Sequence, residues 1–173
     1  MKPLKRERNP ESNNAGYYSE VDTYARQHEM NQENVFEQTY EDLRPKLDKD
    51  PNLIFVDNYV FPNGSVYKGQ MMVDQNDNGN EMRHGYGIQK WVDNAIYEGQ
   101  WKNNKACGRG TFWHAEGDVY VGEFKDDQAN GFGVYTHVNG SKYTGQWVND
   151  VQDGEGEEVW SDGAVYVGKY KNG

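Results

Sequence analysis

From about residue 54 onward, ring and aliphatic side chains alternate with polar ones over stretches of about six residues, each bounded by Gly, Asn or Asp. Alternation with period two predicts a half-buried strand, and the bounding residues predict tight turns. Aligning these stretches exposes an internal repeat. Tyr-x-Gly recurs at Tyr97-Glu-Gly99, Tyr120-Val-Gly122, Tyr143-Thr-Gly145 and Tyr166-Val-Gly168, each tyrosine 23 residues after the last. A further copy, Tyr67-Lys-Gly69, lies 30 residues before Tyr97, so the first repeat carries an insertion of seven. A second signature, Gly-x-Gly, recurs at Gly85/Gly87, Gly108/Gly110, Gly131/Gly133 and Gly154/Gly156.

Twenty-three residues hold two short strands, so the repeat predicts a chain of hairpins. A turn residue that tolerates positive φ stands three positions before each tyrosine, at Gly64, Gly117, Gly140 and Gly163, with Asn94 in the remaining slot. Six positions before each tyrosine runs the column Phe61, Trp91, His114, His137, Trp160, and four after it runs Met71, Trp101, Phe124, Trp147, Tyr170. Equal offsets in successive hairpins place these side chains on one face as ladders, which supplies the buried area a single hairpin lacks. On this reading Trp101, Phe124 and Trp147 form core. The predicted architecture is all-β: an elongated single sheet of hairpins over 54–173, with a capping strand in 54–66, repeats starting at 67, 97, 120 and 143, and a partial repeat from 166. Ten strands at about 4.8 Å spacing make a rod of roughly 43 Å.

Residues 1–53 form an N-terminal extension without repeats and with few glycines. Asn34-Val-Phe-Glu37 reads as a capping box, and Phe36, Tyr40 and Leu43 share a face before Arg44-Pro45, which predicts a short helix near 34–43 in an otherwise irregular segment. So short a helix needs a surface, either the array's own face or a partner. Our expectation from sequence is a partner, with Phe36, Tyr40 and Leu43 as contacts.

The pattern Tyr-x-Gly-x-Trp followed by Gly-x-Gly at a 23-residue period resembles MORN repeats (membrane occupation and recognition nexus), from Tyr67 to Gly173. Met71 in place of Trp, the insertion, and a last copy that stops at Lys171-Asn172-Gly173 depart from that pattern. The resemblance implies a binding or scaffolding role, since proteins with such arrays include radial-spoke and other axonemal components, parasite cytoskeletal rings, junctophilins, and phosphoinositide kinases that carry the repeats beside a catalytic domain.

Composition narrows the choice. Lys and Arg total 18 against 28 Asp and Glu, a formal charge of -10, which disfavours nucleic acid and anionic lipid. No long apolar run predicts a membrane span, and the polar start Met1-Lys-Pro-Leu-Lys-Arg predicts no signal peptide. The single cysteine, Cys107, fits a reducing compartment and so a cytoplasmic location, with cytoskeletal or ciliary structures as the expected site. The basic tip Lys2, Lys5, Arg6 and Arg8 reads as a solvated terminus.

Candidate chemistry is sparse. None of the Gly-x-Gly pairs is completed as a phosphate cradle opening a helix, so they read as structural glycines. The insertion Asp74-Gln-Asn76-Asp-Asn78-Gly79-Asn80-Glu81 copies the start of a calcium loop, but Gly85 stands where the bidentate Glu belongs, and the plainer reading is a solvated loop. His114 and His137, one repeat apart, lie roughly 9.5 Å from each other, too far to share one zinc. His28 and His84 have no partner signal, and Cys107, in a predicted turn beside Lys105 and Arg109, has no base. With no nucleophile–base pair and no acidic pair of catalytic spacing, no cofactor, metal or enzymatic activity is expected. The expected role is a non-catalytic scaffold whose contacts to other proteins include Phe36, Tyr40, Leu43, Trp91, His114, His137, Trp160, Tyr166 and Tyr170. The final strand, near Ala164 to Lys171, is expected to pair with a neighbouring chain or with further residues of its own. The alternatives are a peripheral module binding phospholipid headgroups, and a regulatory module of an enzyme.

Overall fold

The structure is a computed structural model that describes residues 35–73 and 79–173. Ten antiparallel strands follow one another across a single sheet in chain order. They are β1 (Ile54–Val60), β2 (Val66–Val73), β3 (Glu81–Lys90), β4 (Ile96–Lys102), β5 (Lys105–Trp113), β6 (Val119–Lys125), β7 (Gln128–Thr136), β8 (Lys142–Val148), β9 (Val151–Val159) and β10 (Val165–Tyr170). The all-β hairpin array expected from the repeat is therefore what forms. The insertion between β2 and β3, with its calcium-like pattern, falls largely outside the described residues, as do the basic tip, His28 and Asn34.

Apart from the insertion between β2 and β3, two kinds of turn join the strands. Those between β4 and β5, β6 and β7, and β8 and β9 are two-residue turns at Asn103–Asn104, Asp126–Asp127 and Asn149–Asp150, with positive φ at both residues. Only this turn hand matches the twist of the flanking strands, and Asn and Asp tolerate it better than other residues with a Cβ. The alternate turns bring a single residue to positive φ, Asn94 at 72° filling the slot that glycine takes elsewhere.

The two glycines of each Gly-x-Gly do different work. The first, such as Gly131 with φ of 110°, lies in a bulge where the register slips between Gly122 and Phe124. That bulge turns a backbone N–H out of the ladder, and the side chain three places after the repeat tyrosine accepts it: Glu123 from Phe132 N at 2.8 Å, Gln146 from Glu155 N at 2.8 Å, Gln100 from Arg109 N at 3.2 Å. The second glycine makes room for the ring. A Cβ on Gly133 would stand 2.4 Å from the Tyr120 hydroxyl and 2.5 Å from its ring carbons.

Among the described residues a short helix, α1 (Tyr40–Leu43), precedes the sheet and runs into a 3-10 turn at Arg44–Lys46. Its capping box is Thr39 with Asp42; the box expected at Asn34–Glu37 begins at Asn34, outside the described residues. Thr39 donates to Asp42 through both its backbone N–H, at 2.8 Å, and its hydroxyl, at 2.7 Å. Asp42 reaches back as well as Glu would, a substitution that the S/T-x-x-E/Q pattern passes over.

Candidate interaction surfaces

One face of the sheet is a herringbone of rings. Tyr67, Tyr97, Tyr120 and Tyr143 each turn a ring edge toward the large side chain of their own or the next repeat, and the contacts run on without a break: Tyr97 to Trp101 at 4.9 Å, Tyr97 to Phe124 at 5.0 Å, Tyr120 to Phe124 at 5.1 Å, Tyr120 to Trp147 at 5.3 Å, Tyr143 to Trp147 at 5.2 Å. Interplanar angles of 83° to 90° mark edge-to-face packing, which adds about 0.5–1.5 kcal/mol per pair beyond area burial. Each tyrosine hydroxyl donates to the carbonyl three residues on, at 2.7 Å in Tyr67 and 3.0 Å in Tyr97, Tyr120 and Tyr143. Trp101 and Trp147 donate Nε1–H to the carbonyls of Gly87 and Gly133, so no polar atom of these indoles is left unpaired. Trp101, Phe124 and Trp147 are buried, as core should be.

Beside this core lies a second row of rings along the hairpin tips. Trp91 leans on Phe112 at 5.6 Å, Phe112 on His114 at 4.6 Å, His114 on Tyr135 at 5.6 Å, and Tyr135 on His137 at 4.7 Å. His114 and His137 thus have a tyrosine between them. The intervening column, Phe112 and Tyr135, escaped the sequence reading although it too repeats every 23 residues, because its end positions, Gln89 and Glu158, are not rings. Asp118 gathers the row: it accepts from Tyr135 Oη at 2.8 Å and Val138 N at 2.9 Å, and lies 3.2 Å from His137 Nδ1. Burial raises the Asp118 pKa, but these hydrogen bonds outweigh it and hold the carboxyl below its usual range. Trp91 and His114 are half-buried, whereas His137 and Trp160 are exposed.

Burial lowers the pKa of His114 against the opposing pull of Asp118 and Glu116. A histidine that binds its proton less readily when folded destabilises the fold as pH drops through the ordinary histidine range, near about 6.5. We expect the urea midpoint to fall between pH 7.5 and 5.5, and to fall less in His114→Phe, which keeps the ring and removes the titration. Equal falls in parent and variant would show that His114 contributes nothing to the pH response.

The opposite face carries a smaller, aliphatic cluster that the sequence reading missed. Ile88, Ile96, Trp113, Val119, Val121, Phe132 and Val134 are buried there, together with Val35 and Leu43 from the N-terminal segment. Val119 and Val121 alternate with Tyr120, so the signal was present, but their column becomes Lys142 and Thr144 one repeat later and does not stand out as a ladder. Polar contacts fasten the segment over β2 to β4. Lys68 Nζ donates to the carbonyls of Phe36 at 3.1 Å and Gln38 at 2.9 Å, and Gln70 exchanges hydrogen bonds with the Asp48 backbone at 2.8 and 2.7 Å. Lys46 Nζ reaches the buried Glu98 carboxylate at 2.6 Å, where Tyr86 Oη also donates at 2.8 Å.

This arrangement corrects the expectation for Leu43. Its side chain is fully buried against the chain's own sheet and offers nothing to a partner. Phe36 packs on the same cluster, under Lys68. Tyr40 remains largely exposed, its ring edge on Phe55 at 4.8 Å. Sequence could see an apolar helix face but not which surface it meets. Removing the cation in Lys46→Ala leaves Glu98 3% exposed without its charged partner. We expect a loss of about 2 kcal/mol and faster proteolysis between residues 35 and 47; a parent-like cleavage rate would show that the ion pair does not hold the segment down.

At the far end, Tyr166 is exposed and Val167 more so, while Tyr170 is half-buried against Tyr143 at 4.9 Å with its hydroxyl 3.2 Å from Glu158. Cys107 lies in β5 opposite Gln100, not in a turn, and burial pushes its thiol pKa up. Among the described residues no group of three or more metal-ligating side chains converges, and no helix is long and apolar enough to cross a membrane.

The family model described as MORN repeat matches four consecutive stretches of this chain, residues 82–96, 97–119, 120–142 and 143–165. No curated protein sequence matches it. Among solved structures, the chain is similar to the SAS-4 (dCPAP) TCP domain of Drosophila melanogaster, determined in complex with a proline-rich motif of Ana2 (dSTIL), with 10% identity, a TM-score of 0.33, and coverage of 69% of this chain and 89% of that one.

Proposed function

We propose that this chain, which is a MORN-repeat protein, acts as a non-catalytic scaffold that holds other proteins at fixed spacing within a cytoskeletal or ciliary assembly of the cytoplasm. The observation that carries this reading is the row of rings from Trp91 to His137, backed by the buried herringbone and presented half-exposed along three successive hairpins. Rings held rigidly by neighbours lose little entropy on contact, and aromatic side chains are enriched at the centres of protein interfaces. Trp160 and Tyr166, both exposed, extend the same kind of surface toward β10. The formal charge of -10 weighs against the alternative, a module bound to anionic lipid headgroups, because acidic side chains are repelled there. A regulatory role beside an enzyme's catalytic domain uses the same surfaces.

The test compares capture of proteins from cytoskeletal extracts with co-sedimentation on vesicles containing phosphatidylserine or phosphoinositides. The scaffold reading expects a defined set of captured proteins that His137→Ala with Trp160→Ala reduces, and no vesicle binding at physiological salt. Headgroup-selective co-sedimentation, with no capture sensitive to the ring row, would replace it with the membrane reading.

A further inference from the structure

Position 83 breaks the repeat. The residues in register with it one and two repeats later are Ala106 and Ala129, and all three face the large side chain of the preceding strand, Met71, Trp101 and Phe124. In those later repeats the backbone N–H of the alanine is capped by a turn aspartate, Ala106 N by Asp127 at 2.7 Å and Ala129 N by Asp150 at 2.7 Å. For Arg83 the same cap comes from Asn104 at 2.8 Å. The one repeat that gains a guanidinium has thus lost the carboxylate that would neutralise it.

Arg83 borders an open cleft of about 330 Å³ on the ring face, walled by Phe61, Trp91, Trp101 and Phe112. Its guanidinium carbon lies 4.2 Å from the Trp101 ring centre and 5.4 Å from that of Phe61. Nη1 donates to Gln89 Oε1, Nη2 to the Asn104 carbonyl at 2.7 Å and Nε to Asn104 Oδ1 at 3.4 Å. All three acceptors are neutral, and an arginine has five N–H groups, so two stay available. No carboxylate among the described residues lies within ion-pair distance of Arg83. Asp127 also borders the cleft, engaged with Ala106 N, and its field partly offsets the cation.

We propose that this cleft binds a glutamate or aspartate side chain of a partner protein, its carboxylate on the open N–H groups of Arg83 and its methylene stem against Trp91 and Phe112. The proposal rests on the reading of the array as a protein-binding scaffold and names the chemistry of one of its partners. Charge complementarity selects the occupant. A fixed, partly desolvated guanidinium with no ion-paired carboxylate among the described residues repels lysine and leaves a neutral amide under-rewarded, whereas a carboxylate receives two charge-assisted hydrogen bonds.

The experiment titrates the full chain with four fluorescent, capped nonapeptide pools whose central residue is fixed as Glu, Gln, phosphoserine or Lys and whose flanks are randomised. We expect the Glu pool to bind about tenfold more tightly than the Gln pool. Arg83→Ala, which copies the sister repeats and so keeps the fold, should abolish that preference. Asn104→Asp, which restores the turn carboxylate of the later repeats, should weaken it, and Asp127→Asn should strengthen it. Equal binding of the Glu and Gln pools, no binding by any pool, a preference that survives Arg83→Ala, or tighter binding of the phosphoserine or Lys pool would each overturn the proposal. None of those outcomes touches the capture and vesicle experiment, so the broader scaffold reading stands or falls separately.

Discussion

Replacing Trp147 by alanine is expected to destabilise the array by about 3–5 kcal/mol, the range for removing a large buried ring from a core that cannot collapse around the gap. The indole is 7% exposed, meets Tyr120 at 5.3 Å and Tyr143 at 5.2 Å edge-on, and donates Nε1–H to the Gly133 carbonyl at 3.3 Å. Its loss therefore opens a cavity, deletes three ring contacts, the third to Tyr135 at 6.1 Å, and leaves a carbonyl unpaired in one stroke. Collapse is blocked because each neighbouring ring is also held by the next hairpin. Equilibrium urea unfolding followed by circular dichroism measures the effect, and a variant with the parent's midpoint would mean that the ladder is a recognition surface and not the core. Because each hairpin packs mainly on its neighbours, the same scan also reports cooperativity: a broadened transition would show the array parting at the β8 position before its ends unfold.

Gly133→Val should be nearly as damaging for the opposite reason, overfilling instead of emptying the same face. A Cβ there stands 2.4 Å from the Tyr120 hydroxyl and 2.5 Å from two ring carbons, and Tyr120 is itself buried between Phe124 and Trp147. Neither the ring nor the backbone can give way without breaking the herringbone, so a cost on the order of 3 kcal/mol is expected. Gly140→Ala is the control. It carries φ of 85° but nothing lies within 4 Å of the added Cβ, so only the backbone strain of a left-handed residue, about 1 kcal/mol, should appear. Equal losses in the two variants would show that conformation, not the ring packing, is what position 133 requires.

How far these effects could be foreseen differs from residue to residue. The tyrosine column, the large residue four places on and the turn positions all recur at one offset, and recurrence at a fixed offset is visible without coordinates. The roles of the paired glycines were only half visible: that each must be glycine follows from the repeat, but that the first serves a bulge and the second a ring depends on where Glu123, Gln146 and the tyrosine side chains lie in space. The Thr39–Asp42 cap was passed over although it is the same kind of local signal, because Asp stands where the pattern looks for Glu or Gln. Arg83 was passed over altogether because its column continues as Ala106 and Ala129, small residues that do not stand out as a ladder.

Period and hairpin order are local matters: strand alternation, turn residues that accept positive φ, and the 23-residue spacing act over distances shorter than one repeat, and each copy restates them. That redundancy is why the ten-strand architecture follows from the residues alone. The covering of the aliphatic face by Val35 and Leu43, the Lys46–Glu98 pair across 52 positions, and the cleft in which Arg83 has no ion-paired carboxylate among the described residues arise once and are restated nowhere. They join segments far apart in sequence, so their free energy depends on how the sheet brings those segments together. Only the assembled tertiary structure could decide them.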